Sequence, residues 1–204
     1  VGLLIFIPAG TINFFNGWLF MGLLFIPMFI AGIIMMIKSP NLLRSRLDAK
    51  EKENEQKMVV GLSGLMFLSG FILAGLNYRF NWLELSNIVV IISSIVFLLS
   101  YILYAEVLRE NAFLSRTIKV EKKQKLIDTG LYGIVRHPMY LATIFLFLSM
   151  PLILGSLISF LVFLLYPFII IKRLNNEEKV LEKELKGYKE YKKKVRYKLI
   201  PFIW

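Results

Sequence analysis

Two short runs hold the side chains most able to do chemistry. Arg136-His137-Pro138-Met139-Tyr140 contains the only histidine and sits where a basic stretch becomes hydrophobic. Arg173-Leu174-Asn175-Asn176-Glu177-Glu178 sits where a hydrophobic stretch ends in charge. A guanidinium can orient an anion, an imidazole can donate or accept a proton, and a carboxylate can accept from hydroxyls or ammonium. Residues 139–171, between the runs, carry no charge. That length suits a helical hairpin, which returns both runs to one membrane edge. Each run also has a purely structural reading. Pro138 suits the first helical position with His137 as cap, and Arg136 could snorkel to headgroups. Asn176 could cap a helix whose first turn holds Glu177 and Glu178, complementing its dipole.

Much other chemistry is excluded. The chain has no cysteine, hence no disulfide, thiol nucleophile or thiolate metal site, and one histidine provides no His/Cys metal cluster. No two glycines are spaced i, i+2, so neither a GxGxxG dinucleotide turn nor a kinase-type phosphate loop exists. A nucleotide-like cofactor would have to be held outside those folds.

The elements that must position the runs are membrane helices. Of 204 residues 57% are hydrophobic, and mean hydropathy is +0.65. The expected fold is an all-α polytopic bundle of about five spans, forming a single membrane domain over 1–204. Residues 1–104 hold the N-terminal spans, and 105–204 hold a connector, the hairpin and a C-terminal helix. Residues 1–8 read as the end of a first span whose beginning precedes the chain. Residues 18–37 form an uncharged span with Trp18 as interfacial anchor. Pro40 opens a surface helix capped by Ser39, with Leu42, Leu43 and Leu47 on its greasy side. Spans follow at 59–76 and 85–104, with Gly70 and Ala74 allowing close helix approach. Residues 106–125 read as a helix leaving the membrane, then an interfacial segment. The hairpin arms are 139–154 and 157–171, bent at Pro151. A soluble helix over 175–195 has an apolar stripe of Leu181, Leu185, Tyr188 and Val195, with pairs Glu182/Lys186 and Glu190/Lys194. Gly187 weakens its middle.

The net charge of +11 follows topology. Residues 38–58 carry six Lys or Arg, 105–138 seven and 172–204 eleven, leaving Arg79 alone opposite. The positive-inside rule then makes the motif-bearing side and the C-terminus cytoplasmic, in a cell membrane. The surplus is read as topology and attraction to anionic membrane lipid, not nucleic-acid binding.

The run from Gln124 through Tyr140, with its G-x-Y-x-x-x-R-H-P-x-Y pattern (Gly130, Tyr132, Arg136, His137, Pro138, Tyr140), is followed one hairpin later by R-x-x-x-E-E (Arg173, Glu177, Glu178). Gly187-Tyr188, Tyr191 and Pro201 close the pattern. This half of the chain resembles the isoprenylcysteine carboxyl methyltransferase and phospholipid methyltransferase superfamily of integral membrane enzymes.

The resemblance implies S-adenosyl-L-methionine as methyl donor, bound between the hairpin and the connecting segments without a metal. It implies a cofactor pocket lined by Gln124, Lys125, Leu126, Ile127, Tyr132, His137, Pro138, Met139, Tyr140 and Glu177. Arg173 holds the position associated with the acceptor's reacting group. Glu178 or Glu177 is a candidate proton acceptor should the acceptor be an amine, and Asn111 a candidate on the acceptor side. The expected acceptor is a lipophilic small molecule or prenylated substrate ending in a carboxylate. A phospholipid amine is the alternative, for which some acid must take a proton. An NADPH-dependent sterol-type reductase, with a related hairpin and RHP-like run, and a non-catalytic membrane scaffold are the other readings.

Overall fold

A computed structural model describes residues 1–47, 54–115, 117–118, 120 and 124–204. Among them the regular structure is helical, the one β-contact being an isolated bridge between Glu84 and Ser156. Helices α1 (Gly2–Ala9), α2 (Phe15–Lys38), α3 (Pro40–Leu47), α4 (Asn54–Phe80) and α5 (Asn87–Glu110) make the N-terminal part. A 3-10 turn (Gly130–Gly133) precedes α6 (Pro138–Ile153), α7 (Leu157–Phe163), α8 (Tyr166–Glu184) and α9 (Tyr188–Lys194). Four helical stretches are long and apolar enough to cross a membrane: α2, α4, α5 and the α7–α8 arm, with α6 a shorter apolar partner. The all-helical, multi-span expectation is met. Pro40 opens α3 as expected, and α5 runs past the predicted span end to Glu110. Of the predicted interfacial segment, Arg116, Lys119 and residues 121–123 lie outside the described residues; what is described between Asn111 and Thr129 is not helical.

Small residues set the close approaches. A Cβ on Gly75 would lie 2.4 Å from the Ile5 carbonyl oxygen, so α1 packs backbone to backbone on α4. Gly70 lets the Phe163 ring of α7 into the same helix, and Ser159 Oγ donates to the Gly70 carbonyl at 2.8 Å. Around these contacts Phe20, Phe71, Phe97 and Phe163 form the interior. Contacts sort the connections into two ends. At one, Tyr78 donates to the Asn13 carbonyl at 2.7 Å, and Leu85 N to the Gly155 carbonyl at 3.1 Å. At the other, Arg46 donates to the Ser115 carbonyl at 3.0 Å, and Arg173 to Gln56 Oε1 at 3.1 Å. The three basic regions predicted to share a side are thus joined by direct contacts.

The returning arm departs from the sequence reading. It is not one helix to 171 followed by a new helix from 175. Pro167 lacks the N–H that would bond the Phe163 carbonyl, and the helix breaks at Leu164 and Leu165. From Tyr166 the new helix continues to Glu184, across the charge boundary. Asn176 is therefore mid-helix and caps nothing. The predicted soluble helix also breaks: Leu185 is extended, and Gly187 at φ +85 turns the chain into α9. The predicted stripe survives the break, because Leu185, Tyr188, Tyr191 and Val195 still cluster, packed on by Leu126 and Leu181. Its ion pairs form elsewhere, Lys192 with Glu182 and Lys194 with Asp128 at 3.0 Å.

Candidate active site

The site grows from the short coil before α6. Gly130, at φ +56, turns the connector so that Leu131 N meets the Glu110 carboxylate at 2.9 Å. That tethers the coil to the end of α5. Tyr132 is thereby buried beside Asn111, whose amide nitrogen donates to its hydroxyl at 3.1 Å. Tyr191 of α9 donates to the Tyr132 carbonyl at 2.7 Å, fixing α9 over the same coil. Burial pushes the Tyr132 and Tyr191 phenols up, so both remain protonated hydrogen-bonding groups.

Arg136 does not snorkel. It is 5% exposed, with Nε 2.6 Å from Glu178 Oε1 and Nη1 donating to the Val195 and Arg196 carbonyls at 2.7 and 2.8 Å. The main chain agrees, since Arg136 N donates to the Tyr197 carbonyl and His137 N to that of Lys198. The C-terminal segment is thus strapped along the motif. His137 precedes α6 but its ring caps nothing; Nε2 lies 3.3 Å from Glu178 Oε1, and the ring stacks on Tyr140 with centroids 5.7 Å apart. Glu178 is itself 3% exposed and also has Lys192 and Lys198 within 3.6 Å of Oε2. A buried carboxylate so surrounded is an anchor. Glu178, offered from the sequence as a proton acceptor, lines neither cavity described below.

The adjacent Glu177 points elsewhere, because successive helical residues face about 100° apart. Its carboxylate accepts from the Tyr140 hydroxyl, which also accepts from Arg173 Nε at 3.1 Å. Two cavities meet at this cluster. The first is a narrow cleft of about 750 Å³, counting space open at its mouth. Gln124, Lys125, Leu126 and Ile127 form one wall; Tyr132, His137, Met139, Tyr140 and Glu177 line the rest. Of the residues predicted for a cofactor pocket only Pro138 is absent, packed fully inside as the first residue of α6. Asn111, expected beside the acceptor, lines this cleft instead. Tyr188 lines it too, and its buried hydroxyl finds no partner among the described residues. The second cavity, about 1100 Å³ on the same measure, is mainly apolar, with Val59, Phe67, Phe147 and Ile170 in its walls, and Arg46 and Arg173 also line it. Ser115, Thr117, Met139 and Tyr140 line both cavities.

A family model described as phospholipid methyltransferase matches residues 85–187, half the chain, from the start of α5 past the acidic pair. The chain belongs to the phospholipid methyltransferase family. Membership points to a membrane methyltransferase, and the matched region holds most of the cleft together with Arg173. A Delta(14)-sterol reductase from Mus musculus is 31% identical over 91 residues, 43% of this chain. The chain matches only 22% of that reductase's length.

Two residues of this phospholipid methyltransferase-family site escaped the sequence reading. Tyr188 was read in the apolar stripe and in the closing Gly187-Tyr188 run, with no place in the cofactor pocket. Arg46 was counted only as a topological charge, yet it shares a helix face with Leu42 and Leu43, four and three residues away. A cation on the greasy face of a surface helix was the available signal.

Proposed function

We propose that this protein is an S-adenosylmethionine-dependent methyltransferase of the cell membrane whose acceptor is a lipophilic molecule ending in a carboxylate. The observation that carries this reading is the shared wall. A polar cleft and a greasy pocket meet at Met139 and Tyr140, where a donor and an acceptor could be held in line. Such orientation can supply roughly 7–11 kcal/mol of a barrier. The basic connecting segments make this end cytoplasmic by the positive-inside rule, so the cofactor enters from water and the acceptor from the bilayer.

The cleft residues fit the cofactor's parts. Glu177 can accept from ribose hydroxyls or an ammonium, and its bond from Tyr140 keeps it in place. Tyr132 and Tyr140 offer aromatic faces to an adenine or a sulfonium cation. The Tyr188 hydroxyl, without a partner among the described residues, is a buried donor that a polar ligand atom would satisfy. When bound, the cofactor supplies a methyl group already activated by positive sulfur. Arg173, steadied by Tyr140 and Gln56, presents a planar fork that suits carboxylate oxygens. A carboxylate is a nucleophile at neutral pH and needs no base. An amine acceptor would need one, and Glu178 is held by Arg136 while Glu177 is held by Tyr140.

The match to a sterol reductase supports one second reading, an NADPH-dependent reductase using the same hairpin. Thermal-shift titration of purified protein in detergent separates the two. S-adenosylhomocysteine is expected to stabilise the wild type, and Glu177→Ala and His137→Ala to weaken its binding about tenfold or more. Unchanged affinity in both variants overturns the site assignment. Stabilisation by NADPH alone favours the reductase.

Tyr188→Phe gives a finer check. Removing an unsatisfied buried hydroxyl should leave the melting temperature of the ligand-free protein unchanged or slightly higher. The same change should weaken S-adenosylhomocysteine about fivefold, by loss of one neutral hydrogen bond. A destabilised ligand-free protein with unaltered affinity would contradict this role.

A further inference from the structure

We propose that Arg46 acts with Arg173 to hold the anionic oxygens of the methyl acceptor, making Arg46 a specificity-determining residue of the greasy pocket. The inference rests on the methyltransferase reading above and names a residue outside the 85–187 family match. Arg46 comes from α3, far in sequence from the motifs, yet it lines the same pocket as Arg173. No aspartate or glutamate lines that pocket among the described residues. Its remaining walls are apolar or carry neutral hydroxyls, such as Ser63, Thr143 and Tyr166. Two guanidiniums lining an otherwise mainly apolar chamber match an amphiphile with an anionic head and a hydrocarbon tail.

Arg46 is also held in place rather than free to swing. Nη1 donates to the Ser115 carbonyl at 3.0 Å and lies 3.8 Å from Met139 Sδ; Nη2 donates to the Tyr104 hydroxyl. The guanidinium has five N–H groups, and these contacts engage at most three. Ser115 and Met139 belong to the wall between the cavities. The remaining donors of Arg46 therefore lie beside the place where the acceptor head must meet the methyl group. Arg173 approaches the same wall through Tyr140. The anionic oxygens could belong to a carboxylate, the methylated group itself, or to the phosphate of a phospholipid amine.

The experiment compares wild type, Arg46→Gln and Arg46→Lys in detergent. It measures S-adenosylhomocysteine affinity and acceptor KM and kcat. The acceptors are an S-farnesylated N-acetylcysteine, its neutral carboxamide as a binding competitor, and a lysophosphatidylethanolamine. The expected result is a rise of about 10- to 100-fold in KM of the anionic acceptor for Arg46→Gln. Arg46→Lys should recover part of it, S-adenosylhomocysteine affinity should stay within twofold, and carboxamide binding should be unaffected. If the farnesylated acid is the substrate affected, the oxygens are those of a carboxylate; if the lysolipid is, those of a phosphate. The proposal is overturned if Arg46→Gln leaves acceptor KM unchanged, if it weakens cofactor, carboxamide and acid alike, or if wild type binds S-adenosylhomocysteine but neither anionic acceptor. Failure of the wild type to bind S-adenosylhomocysteine overturns instead the methyltransferase reading beneath it.

Discussion

Arg136→Met should lower stability by about 3–5 kcal/mol, because it leaves the Glu178 carboxylate buried without its closest counter-charge. The same change frees the Val195 and Arg196 carbonyls and so unties the C-terminal segment from the motif. Lys192 and Lys198, each 3.6 Å from Glu178, soften the loss but cannot replace a 2.6 Å contact. Thermal melting in detergent should therefore show a large drop, with S-adenosylhomocysteine affinity falling alongside it. The double variant Arg136→Met, Glu178→Met should recover much of the stability, since removing both buried charges is far less costly than orphaning one. A single variant as stable as wild type would show that the pair anchors nothing.

Arg173→Gln should behave in the opposite manner. Its guanidinium bonds to Tyr140 and Gln56 at the acceptor side of the shared wall, and it does not line the cofactor cleft. Methyl transfer should fall about 10²–10³-fold, the scale on which a preorganised charged donor acts on a reacting group. Cofactor affinity should remain within about twofold. Single-turnover methylation with radiolabelled donor, at saturating cofactor, reads the chemical step directly. Arg173→Gln with undiminished turnover would remove Arg173 from the reaction. On this expectation the two arginines differ in kind, Arg136 tying the motif to the C-terminal segment and Arg173 acting on the acceptor.

The sequence made the spans legible because hydropathy reports the medium each segment occupies, and charges must cluster at its edges. The convergence of the RHP and acidic runs was legible for the same reason: an uncharged stretch of hairpin length returns the chain to one edge. Helix boundaries were less so. The charge boundary near Lys172 is not a helix end, because a helix satisfies its own backbone in either medium, and α8 runs through it. The division of labour within Glu177-Glu178 was hidden as well. Adjacent helical positions face different ways, and only the tertiary placement of Arg136 and Tyr140 decides which carboxylate meets the cleft. Arg46 was hidden because its partners Tyr104, Ser115 and Met139 lie on three other segments.

The cleft between the connector and the hairpin is where the cofactor must bind. A structure of the protein with S-adenosylhomocysteine bound tests it most directly. The ligand should lie between residues 124–127 and Tyr188, with its sulfur facing the Met139–Tyr140 wall and Glu177 on a ribose hydroxyl or the ammonium. A ligand seated elsewhere, or a cleft filled by lipid chains with the ligand excluded, would contradict the account.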